Sequence, residues 1–390
     1  MQDRVVQLMF RLLRFEVCNA ELSQDELRQA FFEEDLPKLY ECAKRHDLAH
    51  LIADALEKLG LLPMEGEFPA KLRRQQMLAV YRQQRSQYEL QVVCDLLEQE
   101  KIPFIPLKGA VSRDYYPEPW MRTSCDIDVL VCENDMTRAT ELLIEKLGYR
   151  KGVESPHDIS LHTESGIHIE LHHTLTNDRI TPEGGEILSN VWSFADVEDG
   201  REYQHRLTDS MFYFYHIAHM AKHIQIGGCG VRPFLDQWIL QHCITHDDAE
   251  REALLEKGKL LVFAQAAEKL ADVWLADVEA NETILWLENF ILNGGVYGNV
   301  ENRVSILQKK RGGRVKYVLS RIFISYDSLK YYYPILQKHR WLTPVYEVVR
   351  WFRLLFTGKT KVAVREFRAN NQMSKDQTEN TADFLQQLGL

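Results

Sequence analysis

Residues 107–131 read LKGAVSRDYYPEPWMRTSCDIDVLV, and the last six of them decide how the chain is read. "DIDVLV" is a strand-like run in which Asp126 and Asp128 are set among Ile127, Val129, Leu130 and Val131. Side chains alternate along a strand, so both carboxylates share one face while Ile127 and Val129 share the other. Two neighbouring carboxylates repel and lose hydration unless a cation or a proton sits between them. The run therefore predicts a metal.

Working outward, "LKGA" ends a short upstream strand, and Gly109 would let the backbone approach an anion where a helix begins. Lys108, Arg113 and Arg122 lie between that turn and the aspartates, as cations suited to polyphosphate. Downstream, "GIHIELHH" alternates and sets Glu170 among Ile167, Ile169 and Leu171. A third carboxylate from a neighbouring strand would complete a two-metal site.

The surrounding pattern predicts a strand in "IPFIPL", one or two helical turns in "AVSRDYY" and a loop at "PEPW". A helix follows in "NDMTRATELLIEKLGY", ending at Gly148, and then a hairpin turning at Ser165 and Gly166. Short amphipathic helices are expected before residue 60, one of them capped by Ser23, and a long helix from about Lys71 to Gln99. The expected organisation is a helical region over 1–100, a mixed core over 101–200 and a helical domain over 201–300. A basic, aromatic-rich helical segment over 301–370 and a mobile polar tail over 371–390 complete it.

With 390 residues, 45% of them hydrophobic and 27% charged, the composition is that of a soluble globular protein. No long uncharged apolar run predicts a transmembrane span. Seven scattered cysteines without a C-x-x-C pair point to a reduced, cytoplasmic protein with neither a disulfide framework nor a zinc knuckle. The net charge of −10 conceals a division, because residues 301–370 carry 16 Lys and Arg against 4 Asp and Glu. Such a segment is expected to meet something anionic: nucleic acid, a membrane surface, or the acidic remainder of its own chain.

The order of these motifs resembles the nucleotidyltransferase superfamily of polymerase β-like fold, whose signature is a strand, a short helix, Asp-x-Asp on the next strand and a later acidic residue. "IPFIPLKGA", "DIDVLV" and "HIELHH" are more similar still to an uncharacterised bacterial nucleotidyltransferase family that carries Lys-Gly in place of Gly-Ser. The likeness extends from about residue 85 to 355. It implies an α+β fold, with a mixed sheet and flanking helices embedded between helical N- and C-terminal regions. It implies an enzyme in which Asp126, Asp128 and Glu170 hold Mg²⁺ or Mn²⁺ and serve catalysis, while Lys108 and Gly109 hold the β- and γ-phosphates of a nucleoside triphosphate. The expected reaction moves AMP from ATP to an unidentified hydroxyl, on a small molecule, sugar or protein, with release of pyrophosphate. Ala110 departs from the superfamily's serine, so Lys108 would have to take over that phosphate contact.

Other readings stay open. The fold could serve as a noncatalytic nucleotide-binding or scaffold protein. His168, Glu170 and His172 share a strand face and suit a metallo-hydrolase. His216, His219 and His223 share a helical face and read either as contacts to the nucleotide or acceptor or, in preference, as hydrogen-bonded core histidines. Arg232 and Asp236 are one helical turn apart and read as an intrahelical pair. "TGKT" at 357–360 lacks the preceding strand and glycine of a phosphate loop.

Overall fold

The computed structural model describes residues 3–18, 24–176, 180–356 and 360–390, so Ser23 and most of "TGKT" lie outside the described residues. The chain divides into two compact units, one formed by residues 1–222 and 230–288, the other by 223–229 and 289–388.

The first unit contains a five-stranded sheet of β1 (Phe104–Pro106), β2 (Asp126–Val131), β3 (Arg150–Glu154), β4 (Asp158–His162) and β5 (His168–His172). Its spatial order is β1-β2-β5-β4-β3. All neighbours are antiparallel except β2 and β5, which run parallel. A parallel pair needs a crossover, and residues 132–167 provide one containing the helix Met136–Leu147, β3 and β4. That helix ends on Gly148 in the left-handed conformation, φ 69°, a backbone that glycine adopts without a Cβ penalty.

Ile127, Val129 and Val131 of β2, Ile159 and Leu161 of β4, and Ile169 and Leu171 of β5 pack into one apolar core. Leu97, from the long helix Glu67–Gln99, and Leu143, from the crossover helix, close the same core. Burying these seven strand residues from water supplies roughly 1.5–3 kcal/mol each, and it fixes the register of β2 and β5. The chain is thus α+β, as expected, with a mixed sheet and flanking helices. The hairpin between β4 and β5 turns where the sequence placed it, with Gly166 at φ 85° and its N–H donating to the Thr163 carbonyl.

Two features depart from the expected pattern. A second, two-stranded sheet pairs β6 (Ala195–Val197) with β7 (His205–Leu207). In the second unit, the tail expected to be mobile is a helix, Lys375–Gln387. Thr378, Thr381, Phe384, Leu385 and Leu388 are buried at near-helical spacing, and threonines among them hide the apolar period. Among the described residues, no helix is long and apolar enough to cross a membrane.

Candidate active site

The parallel register sets Asp126 opposite His168, Asp128 opposite Glu170 and Leu130 opposite His172. Alternation on both strands then brings Asp126, Asp128, His168, Glu170 and His172 to one face, away from the apolar core. Asp126, His168 and Glu170 hold donor atoms within 4.8 Å of one another, and so do Asp128, Glu170 and His172. Asp128 is the more enclosed aspartate, 7% exposed. His172 Nε2 lies 3.0 Å from Asp128 Oδ1 and 3.5 Å from Glu170 Oε2. His168 Nε2 is 3.1 Å from the Ser160 hydroxyl on β4 and 3.7 Å from Glu170 Oε1, and its ring stacks on that of His162.

The electrostatics follow from this crowding. Burial raises the Asp126 carboxyl above its ordinary range, and the charges of Asp128 and Glu170 raise it further. Burial acts the same way on Asp128, but the hydrogen bond and charge of His172 overcome it and hold the carboxyl low. His172 answers in kind: burial disfavours its imidazolium, yet Asp128 and Glu170 lift it to about 9. A protonated histidine partly neutralises the carboxylates, and a divalent cation bound there would take that proton's place. The donor set fits such an ion, because carboxylates suit hard cations and imidazole extends the choice to softer ones.

Lys108 reaches this face because the β1–β2 ladder runs on past its last pair, with the Leu107 N–H donating to the Asp128 carbonyl at 2.9 Å. Its ammonium lies 5.5 Å from the centre of the buried Tyr215 ring, a cation–π contact. Burial pushes Lys108 down to about 8, against the pull of Asp128. Gly109 occupies the first turn of a short helix, Lys108–Val111, where an added Cβ would sit 3.4 Å from Ser124 Cβ.

Arg113 and Arg122, expected beside a polyphosphate, are engaged with protein acceptors. Arg113 donates to the Gly109 carbonyl and to the Ser124 hydroxyl, each at 3.0 Å. Arg122 donates from Nε and Nη2 to the Asp236 carboxylate, each at 2.8 Å, and Tyr116 donates to the same group at 2.8 Å. The intrahelical Arg232–Asp236 pair is thereby corrected. Asp236 belongs to Arg122, while Arg232 donates to Asp47 at 2.8 Å and to Thr123 at 3.0 Å. The segment "YYPEPWMRT" is thus pinned at Tyr116, Arg122 and Thr123, and His50 Nε2 holds the Met121 carbonyl at 2.8 Å.

His216 is a core histidine as read, bonded to the Pro233 carbonyl at 2.9 Å and pushed down by burial to about 4. Sequence reasoning missed Asp236 as the anchor of Arg122, since no spacing rule links positions so far apart. It also missed Tyr215, whose place under Lys108 shows only in three dimensions.

The sequence model of a family described as "uncharacterised nucleotidyltransferase" matches residues 33–276, a span that contains every residue of this site. No curated protein and no solved structure matches the chain.

Proposed function

The chain belongs to the uncharacterised nucleotidyltransferase family, and from that premise we propose a metal-dependent enzyme that transfers AMP from ATP to a hydroxyl acceptor. The observation that carries the reading is the shared face of Asp126, Asp128 and Glu170 on the parallel β2–β5 pair. In this reading Asp126, Asp128 and Glu170 hold Mg²⁺ or Mn²⁺. When bound, the ions neutralise phosphate charge and orient the α-phosphate for in-line attack.

The protein's own groups do the rest. Lys108 is the cation placed to grip the β- and γ-phosphates, since Arg113 and Arg122 already serve protein acceptors. Those two arginines act by holding the loop that delivers Asp126. Glu170 accepts the proton of the attacking hydroxyl. The acceptor oxygen bonds to the α-phosphorus, the bond from that phosphorus to the bridging oxygen breaks, and pyrophosphate leaves with the electron pair. Positioning and charge neutralisation supply most of the rate.

The test is incubation of the full chain with α-labelled nucleoside triphosphates, Mg²⁺ or Mn²⁺ and cell extract. Label should pass from ATP to an acceptor and should not do so with Asp126→Asn. Transfer by Asp126→Asn at the parent rate would overturn the assignment of the site. Tight, metal-dependent ATP binding with no release of pyrophosphate in any acceptor screen would favour the noncatalytic reading.

A further inference from the structure

The first inference rests on reading the site as a metal centre. His172 Nε2 stands 3.0 Å from Asp128 Oδ1 and 3.5 Å from Glu170 Oε2. Around an ion bound at about 2.1 Å, neighbouring ligand atoms lie roughly 3–3.5 Å apart. Both separations from Nε2 match that spacing, and Asp128, Glu170 and His172 hold donor atoms within 4.8 Å of one another, so Nε2 stands where a ligand atom would. His168 is placed differently, because its Nε2 is shared with the Ser160 hydroxyl and lies farther from Glu170.

We propose that His172 binds the metal through Nε2 together with Asp128 and Glu170, and that this position selects Mn²⁺ over Mg²⁺. Mg²⁺ favours a shell of oxygens, whereas imidazole suits transition metals. The experiment titrates the full chain with Mn²⁺ and records electron spin-echo modulation, which detects a nitrogen bonded to the ion. Nitrogen modulation is expected in the parent protein and in His168→Asn. It should vanish in His172→Gln, with Mn²⁺ affinity falling at least about tenfold and Mg²⁺ affinity changing less. Mn²⁺ binding without nitrogen modulation would overturn His172 ligation and leave the metal-dependent reading standing. Absence of any Mn²⁺ binding would overturn both. Should His172→Gln fail to fold, the His168→Asn spectrum decides: modulation kept supports His172, and modulation lost removes it.

In the second unit, the helix Thr343–Phe356 exposes Val345, Val348, Val349 and Phe352, at spacings of three, one and three residues. The helix Arg314–Ile322 likewise exposes Val315, Leu319 and Ile322. Trp341, 75% exposed, stands before the first of these helices. Arg314, Lys316, Lys338, Arg340 and Arg353 are exposed among these residues. Apolar stripes flanked by Arg and Lys match an anionic bilayer surface, where acyl chains take the former and headgroups the latter. A nucleic-acid surface would have no use for a valine stripe.

We infer that this segment lies on anionic lipid. Full-length protein should sediment with phosphatidylcholine vesicles containing phosphatidylglycerol, and far less with phosphatidylcholine alone. The paired substitution Val348→Asp, Phe352→Glu, at exposed positions, should lower the bound fraction at least about tenfold, and added salt should weaken it. Equal binding by that variant, binding to single-stranded RNA instead of vesicles, or self-association through the stripe would each overturn the inference.

Discussion

Arg122 and Asp236 meet through paired hydrogen bonds across 114 residues of sequence, the arginine 7% and the aspartate 2% exposed. Removing one partner leaves the other charged and enclosed. Arg122→Ala or Asp236→Ala should therefore destabilise the first unit by about 3–5 kcal/mol, measured by chemical denaturation. The double variant should cost less than the two single costs added together. Because the pair anchors the loop before Asp126, transfer should weaken even in preparations that remain folded.

Lys108, held down to about 8 in the free protein, gives a pH signature for the triphosphate grip. Below that value the ammonium is ready to meet phosphate. Above it, binding requires uptake of a proton, so kcat/KM for the nucleotide should fall roughly tenfold per pH unit on the alkaline side. Lys108→Met should raise KM and remove that alkaline limb. An unchanged limb in the variant would assign it to another group.

Asp126 has the opposite character, since burial and neighbouring carboxylates raise its pKa. A raised carboxylate destabilises the metal-free fold at pH values where it must ionise. That cost disappears as pH falls and the group takes up its proton. Asp126→Asn should therefore raise the melting temperature of the metal-free protein at pH 7, an advantage that shrinks towards acid. The same variant should lose nucleotidyl transfer by at least about a hundredfold.

His172 contributes with the reverse sign. Its pKa is lifted from an ordinary 6.5 to about 9, so its ion pair stabilises the metal-free protein fully below pH 6.5. The stabilisation drains away as pH rises to about 9. His172→Gln should flatten the stability-against-pH curve between those values. A curve of unchanged slope would show that the histidine does not carry that proton.

What was legible in the sequence and what was not divide along physical lines. β2, β5 and the crossover helix carry strong period-two or helical apolar patterns, so their place and the shared face of Asp126 and Asp128 could be read directly, whereas Glu170 joins that face only through the β2–β5 pairing. β3, "RKGVE", is exposed along its whole length, and an edge strand with no buried face leaves no alternation to detect. The direction of the β2–β5 pairing is a tertiary property, as is the Arg122–Asp236 bond. Arginine types near a phosphate motif look alike in sequence whether they face a ligand or a carboxylate. Lys108 was separable from Arg113 and Arg122 only once their partners were visible.

The parallel register of β2 and β5 has a consequence for how such a protein can diversify. The separation of the donor-bearing strands is a sheet spacing, about 4.8 Å, maintained by the apolar residues on the opposite face. Loops at the strand ends can lengthen, shorten or change sequence without altering that separation. The periphery can therefore be edited while the carboxylate- and histidine-bearing ladder is kept intact.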